Sequence, residues 1–406
     1  MNSSNSSRPN RSRIFFFLLS AILVFPLLAA TLLRAADTGQ TTAQTDDSLY
    51  KYLSVFSETL GLVRQAYVDQ PDMDTLMAGA LDGTTDALDP FSLYVPASQV
   101  SGFLQAQSVG KRYSGLTLLK ERGIAYVVGV EKGSPGDVAG VKPGDIIAKV
   151  NDRSTRLMPI WEIQELLAEK PGTKIAMELI RVGEPQQISF ELKAFDPPPV
   201  SLEEVEGVPL LRIPTFDEKT AEAVKAVIGK DPGRVKDKLL IDLRGVSSGD
   251  SEAAYATAKL FTTGDLGALK KRAEEVRSFR AEDRPVWQGK TVVLVDRGTL
   301  GAAEVFATVL RQKEKAELVG ERTFGHAGRQ GSAELSSGGR LLFTEAFYTG
   351  PDKKPLNEAL KPDLLVDERS RTYLEKDTPM NELILRRGIR RLLGLEPDTS
   401  EAAKAA

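Results

Sequence analysis

The chain of 406 residues has one histidine and no cysteine, which bounds its chemistry at once. Without thiols there is no disulfide, no zinc–thiolate site and no cysteine nucleophile. A multi-histidine metal centre is excluded, and any Ser-His-Asp arrangement has to be built around His326. The hydroxyls on segments that could approach it are Ser247, Ser248 and Thr299. An imidazole with its ordinary pKa near ~6.5 can take a proton from a hydroxyl, whereas a lysine must first be desolvated. The formal net charge of −3 gives no long-range attraction for nucleic acid or anionic lipid. Neither a cofactor nor a metal is expected.

The segment Val292 to Gln330 reads VVLVDRGTLGAAEVFATVLRQKEKAELVGERTFGHAGRQ. It resembles the core of the C-terminal processing peptidases, or tail-specific proteases, exported serine-type peptidases with a Ser/Lys dyad. In that family a strand such as Val292–Val295 leads into (Ser/Thr)-Ala-Ser-Ala-Ser-Glu, with the nucleophile at its third position. Here the motif is Thr299-Leu300-Gly301-Ala302-Ala303-Glu304, so Gly301 stands at the nucleophile position. The base is ordinarily the lysine of Phe-Gly-Lys-Gly followed by a glutamine. Here Phe324-Gly325-His326-Ala327-Gly328-Arg329-Gln330 puts His326 at the base position and keeps Gln330. Acyl transfer needs an oxygen or sulfur nucleophile with a base beside it, and glycine has no side chain. The family's oxyanion loop, Asp-Leu-Arg-Asn-x-x-Gly-Gly, reads Asp242-Leu243-Arg244-Gly245-Val246-Ser247-Ser248-Gly249, with Ser248 in place of the first glycine of the pair. A backbone turn that aims N–H groups at a developing oxyanion is thus expected to be eroded there.

The elements that must position these residues fall into modules. The resemblance implies a multidomain α+β protein: an N-terminal helical region, a PDZ domain (a β-sandwich with two helices), and an α/β protease-like core with a layered sheet. Arg8, Arg11 and Arg13 precede an apolar run from Ile14 to Leu33. That pattern predicts a signal peptide or N-terminal membrane anchor over 1–36, hence export to the periplasm or cell envelope, with inner-membrane anchoring if the segment is retained. Leu49, Leu53, Phe56, Leu60, Val63 and Tyr67 recur at helical spacing and open a helical region over 47–111. Within it, Leu88-Asp89-Pro90-Phe91-Ser92-Leu93-Tyr94 resembles the family's Leu-Asp-Pro-His-Ser-x-Tyr, and Phe91 reads as a packing change remote from the dyad. Over 112–196, short strands punctuated by Gly133-Ser134-Pro135 and Lys142-Pro143-Gly144-Asp145 resemble a PDZ domain. Such domains capture chain ends by strand addition, and the carboxylate-binding loop is expected at Tyr113, Ser114, Gly115 and Leu116.

After Pro197-Pro198-Pro199, strands alternate with helices over 200–395, which predicts a layered α/β core with a largely buried sheet. Its last helix, Met380 to Leu393, carries Arg386, Arg387, Arg390 and Arg391, read as a solvated face suited to a helix C-terminus. The tail, 396–406, is expected to be mobile. The leading functional expectation is a family member without catalysis that binds protein or peptide C-termini through its PDZ domain. The alternatives are an active endopeptidase with a rebuilt Ser248/His326 centre, in which His326 is more than an exposed loop residue, and a regulator of an active paralogous protease.

Overall fold

The structure is a computed structural model that describes residues 48–109, 113–231, 233 and 235–395. The expected signal or anchor and the C-terminal tail lie outside the described residues. Those described form two compact units, 48–77 and 78–395. The first contains helix α1, over 48–66, and the start of α2 (Met73–Asp86). The apolar spacing of 49–67 does produce a helix, yet Leu49, Leu53 and Phe56 on it are exposed.

The second unit holds the PDZ-like and core modules. Strand β1 (Leu93–Val95) and helix α3 (Val100–Val109) lead into an antiparallel sheet. Its strands are β2 (Leu116–Glu121), β3 (Ile124–Val130), β4 (Ile146–Val150), β5 (Arg153–Ser154), β6 (Lys174–Arg181) and β7 (Glu184–Glu191). They run in the order β2-β3-β4-β6-β7, with β5 paired to β4. Two helices pack with it, α4 (Pro135–Val138) and α5 (Ile160–Leu167). Pro135 opens α4 and Ser134 Oγ caps it, accepting from Asp137 N–H at 3.2 Å. The module closes over one apolar cluster that includes Leu118, Val127, Ile147, Ile163 and Leu179.

Two hairpins of this sheet turn on X-Gly pairs in which both residues have positive φ: Arg122-Gly123 and Val182-Gly183. A two-residue hairpin of this hand matches the strand twist but demands the left-handed region twice. Glycine accepts that freely, and a β-branched valine does not.

The core begins with β8 (Ser201–Val205) and β9 (Val208–Arg212), then α6 (Thr220–Lys230), β10 (Lys238–Asp242) and α7 (Ser251–Ala258). A hairpin of β11 (Gly264–Lys271) and β12 (Glu274–Ala281) follows, then β13 (Lys290–Val295), α8 (Ala302–Glu314) and β14 (Glu317–Gly320). Strands β15 (Gly328–Glu334), β16 (Arg340–Tyr348) and β17 (Leu364–Leu365) and helix α9 (Met380–Leu393) complete it. The sequence pattern did not announce the β11–β12 hairpin, because β12 is exposed and charged along most of its length.

One sheet runs β17-β14-β13-β10-β9-β8, parallel except for β8. Parallel strands need crossover helices, which cover the sheet and make its strands apolar on both faces. Accordingly Val293 and Val295 face α6, α7 and α8, while Val292 and Leu294 face α9, all four fully buried. The second sheet, β1-β16-β11-β12 with β15 on β16, is antiparallel. The basic run on α9 is only partly a solvated face. Arg387 pairs with Glu375 at 2.8 Å and Arg391 pairs with Glu317, and both guanidinium side chains are largely buried. They tie α9 to the core because the helix is amphipathic, with its basic residues at the margin of the apolar face.

Val182 is 99% exposed at φ +52, so its side chain gains nothing in return for the strained backbone. Val182→Asn is therefore expected to stabilise the protein by about 1 kcal/mol, the usual cost of a left-handed non-glycine residue. Thermal denaturation checks this, and an unchanged or lower midpoint would show that the turn is not strained.

Candidate active site

Three loops meet at the carboxyl ends of neighbouring parallel strands, the edge where α/β sheets usually place their chemistry. The loop after β10 carries Asp242–Gly249, the turn from β13 into α8 carries Asp296–Gly301, and the loop after β14 carries Glu321–Ala327. The backbone joins them directly. Leu300 N–H donates to Val246 O at 2.9 Å, and Phe324 N–H donates to Thr299 O at 3.1 Å.

Two buried carboxylates complete the connection. Glu304, in the first turn of α8, is 1% exposed. Its Oε2 accepts from Gly301 N–H at 3.0 Å and from His326 N–H at 3.0 Å, while Oε1 accepts from Gly325 N–H at 2.6 Å and from Thr323 Oγ1. Burial pushes this carboxyl up to about 7 against the pull of its four donors. Asp296 Oδ1 accepts from Gly245 N–H at 2.9 Å, Gly298 N–H at 3.0 Å and Thr299 Oγ1 at 3.2 Å. Burial raises Asp296 to about 6.

Gly301 caps α8 at φ +61 and ψ −109. A Cβ built there meets nothing closer than His326 O at 3.7 Å, so space for a side chain exists. The backbone is the obstacle, since this conformation strains any residue with a Cβ. A strand-to-helix turn of this strained kind is how hydrolases present a nucleophile, and here it presents none.

His326 is half-buried rather than an exposed loop residue. Its imidazole stacks on Phe91 at 4.1 Å between centroids and meets Phe347 edge-on at 5.2 Å. Its Nε2 lies 3.3 Å from Thr344 Oγ1, which also accepts from Gln330 Nε2 at 3.3 Å. Burial lowers the imidazole pKa, with Asp89 opposing. Phe91, remote in sequence, is thus in direct contact with the base position. Pairing of β1 with β16, Leu93 opposite Leu342, carries the preceding 88–92 turn to this place.

The candidate hydroxyls are directed elsewhere. Thr299 is fully buried, and its one hydroxyl proton is shared between Leu243 O at 3.0 Å and Asp296 Oδ1 at 3.2 Å. Ser248 Oγ lies 3.4 Å from Thr215 Oγ1. Ser247 Oγ lies 2.8 Å from Thr117 Oγ1 on β2. The turn expected to carry the oxyanion donors has its backbone demands at its glycines. Positive φ falls at Gly245 (+72), which stands at the motif's Asn position, and at Gly249 (+130), the second glycine of the pair, while Ser248 keeps an ordinary backbone. A Cβ at Gly249 would come within 2.7 Å of Phe216 N, so the glycine that cannot be replaced is the second of the pair.

The PDZ-like sheet rests on these loops. Leu119 and Val128 pack with Leu300, and Phe91, Tyr126 and Phe324 join them. Gly129 permits this approach, because a Cβ there would lie 1.9 Å from Ser247 Oγ. Of the expected peptide-binding residues, Ser114 is 2% exposed and Gly115 has φ +71. A Cβ at Gly115 would lie 2.0 Å from Ser134 Cβ, so the loop before β2 requires glycine there. Leu116 N–H donates to Ser114 Oγ at 3.3 Å, and Tyr113 O accepts from Lys193 N–H at 3.2 Å. The contact between Ser247 and Thr117, the stack on Phe91 and the role of Asp296 had no signal in the sequence pattern, because each joins segments far apart along the chain.

The two carboxylates give the protein a pH signature. Each has a folded pKa above its ordinary value near ~4, so the stability each contributes is full at low pH and lost as pH rises through about 6 for Asp296 and about 7 for Glu304. Asp296→Asn keeps an oxygen for the three donors and removes the buried charge. The variant is expected to exceed the parent by on the order of 2 kcal/mol at pH 7.5, the advantage vanishing toward pH 4. Melting temperatures across that range test this, and a variant less stable at every pH would refute it.

A profile of peptidase family S41 matches residues 207–366, and a PDZ domain profile matches residues 126–181. The carboxy-terminal processing protease CtpA of Bacillus subtilis (strain 168) is 30% identical over 376 residues, covering 89% of this chain and 79% of that protein. A "Probable CtpA-like serine protease" of Staphylococcus aureus (strain COL) is 24% identical, covering 90% and 75%. Among solved structures, the photosystem II D1 C-terminal processing protease superposes with a TM-score of 0.63 at 21% identity, covering 76% of this chain and 86% of the other, which shows a shared fold. With its motifs, its two modules and an extended match to CtpA, the chain belongs to the C-terminal processing peptidases of family S41, serine-type peptidases that here carry a PDZ domain.

Proposed function

We propose that this chain is a non-catalytic member of its family that binds protein C-termini through its PDZ domain. The observation that carries the reading is Gly301: the turn that would present a nucleophile has no side chain, and the nearby hydroxyls bond elsewhere. His326 supports it further. Its imidazole is enclosed by phenylalanines, and its polar contact is Thr344 rather than Ser248. A rebuilt Ser248/His326 centre therefore finds no geometric support. Binding is favoured by the intact loop before β2, where a terminal carboxylate could displace the long Leu116–Ser114 hydrogen bond and take up backbone N–H groups. The basic-flanked apolar run over 14–33 supports a cell-envelope location for this work.

Two experiments test the proposal. Purified protein is expected to leave unfolded substrates and free-ended peptides uncut, and His326→Ala to change nothing in that assay. Turnover that disappears in His326→Ala or Ser248→Ala would overturn it. Gly301→Ser alone is expected to restore no cleavage and to destabilise the protein by about 1–3 kcal/mol, because of the positive φ.

Titration of the full chain with apolar-ended tail peptides tests the binding half. Free-acid peptides are expected to bind and their C-terminal amides to bind at least about tenfold more weakly, a charge-assisted contact being worth roughly 1.4 kcal/mol or more. Equal binding of both forms would reject carboxylate capture. Binding of neither would favour a regulator that contacts an active paralogue.

A further inference from the structure

Beside His326 opens a cleft of about 660 Å³. Its apolar lining comes from Leu88, Pro90, Phe324, Phe343 and Phe347. All three phenylalanine rings are only partly buried, so each leaves aromatic surface uncovered. Among the described residues that line it, the charged one is Asp89, and none is a lysine or arginine. Ser92, Thr344 and Asn357 add polar atoms. Such a lining selects among guests by elimination. An anion would meet a carboxylate with no cation to offset it. A purely apolar group would dehydrate Asp89 without offering it a further donor. An aliphatic cation satisfies both features, its stem lying on the rings and its head reaching the carboxylate and the ring faces.

We propose that this cleft binds a long aliphatic cation, the ammonium or guanidinium side chain of a lysine or arginine carried on a peptide. The site lies outside the PDZ sheet and is independent of carboxylate capture there. Asp89 is already fixed for the task. Its Oδ1 accepts from Phe91 N–H at 2.8 Å and Ser92 N–H at 2.9 Å, and its Oδ2 accepts from Ser92 Oγ at 3.0 Å. Oδ2 therefore keeps lone pairs for a further donor. Burial lowers the pKa of the imidazole of His326 and so disfavours a charge there that would repel a cation, Asp89 opposing.

His326 is the only histidine of the chain, so its imidazole is an unambiguous reporter. The full chain, with isotopically labelled histidine, is titrated by NMR with N-acetyl-lysine methylamide, N-acetyl-norleucine methylamide and n-butylammonium. The lysine amide is expected to shift the imidazole resonances saturably, and the norleucine amide to leave them in place. Asp89→Asn, whose remaining oxygen still accepts from Phe91 and Ser92, is expected to weaken lysine binding about fivefold or more. Phe343→Leu keeps the cleft apolar without the ring face and is expected to weaken it as well. Equal shifts from the norleucine amide, or unchanged affinity in both variants, would overturn the cation site. Butylammonium binding as tightly as the lysine amide would overturn the peptide source and assign the cleft to a free amine.

Discussion

Everything at the site depends on one buried carboxylate satisfying four donors. Glu304 accepts from the turn that starts α8 and from the loop after β14, so it fixes Gly301 relative to His326. Burying a carboxylate is costly unless it is fully hydrogen-bonded, and removing any one donor would leave part of that cost uncompensated. The same residue sits at the positive end of a helix, which favours its charge. The arrangement holds whether or not a nucleophile is present, because three of its four donors are backbone N–H groups that substitution at 301 or 326 does not remove.

The scaffold at this place is therefore independent of which side chains stand at 301 and 326. At Gly301 the loss of a side chain relieves a strained backbone and leaves the N–H bonded to Glu304. At 326 the imidazole has acquired a packing role, stacked on Phe91 and edge-on to Phe347. Phe91 and His326 form one packing unit, a flat apolar ring against a flat imidazole. The apolar contact holds the 88–92 turn against the loop after β14.

The PDZ-like sheet belongs to the same construction. Its β2 and β3 strands press on the loops after β10 and β13 through Thr117, Leu119 and Val128. Gly129 makes the close approach possible, because a Cβ there would collide with Ser247. Ligand capture at the loop before β2 would thus act on a strand already bonded to the core through Ser247, and the two modules cannot be treated as beads on a string.

The family, the order of the PDZ and core modules and the alternation of strands with helices in the core were legible in the sequence. They rest on local pattern: apolar runs such as Val292–Val295, turn glycines and short motifs, each specified by residues close together in the chain. The sequence also fixed the chemistry that is absent, since no fold can supply a thiol or a second histidine that the chain lacks. Only the tertiary structure decided that Phe91 lies on His326, that Ser247 faces Thr117 and Ser248 faces Thr215, and that Gly249 rather than position 248 carries the demand for glycine. It also decided that Arg387 and Arg391 are paired rather than solvated. These are meetings of segments separated by tens to hundreds of positions, set by strand register and sheet packing. A one-dimensional pattern records which side chains a segment has, while packing alone determines what they face.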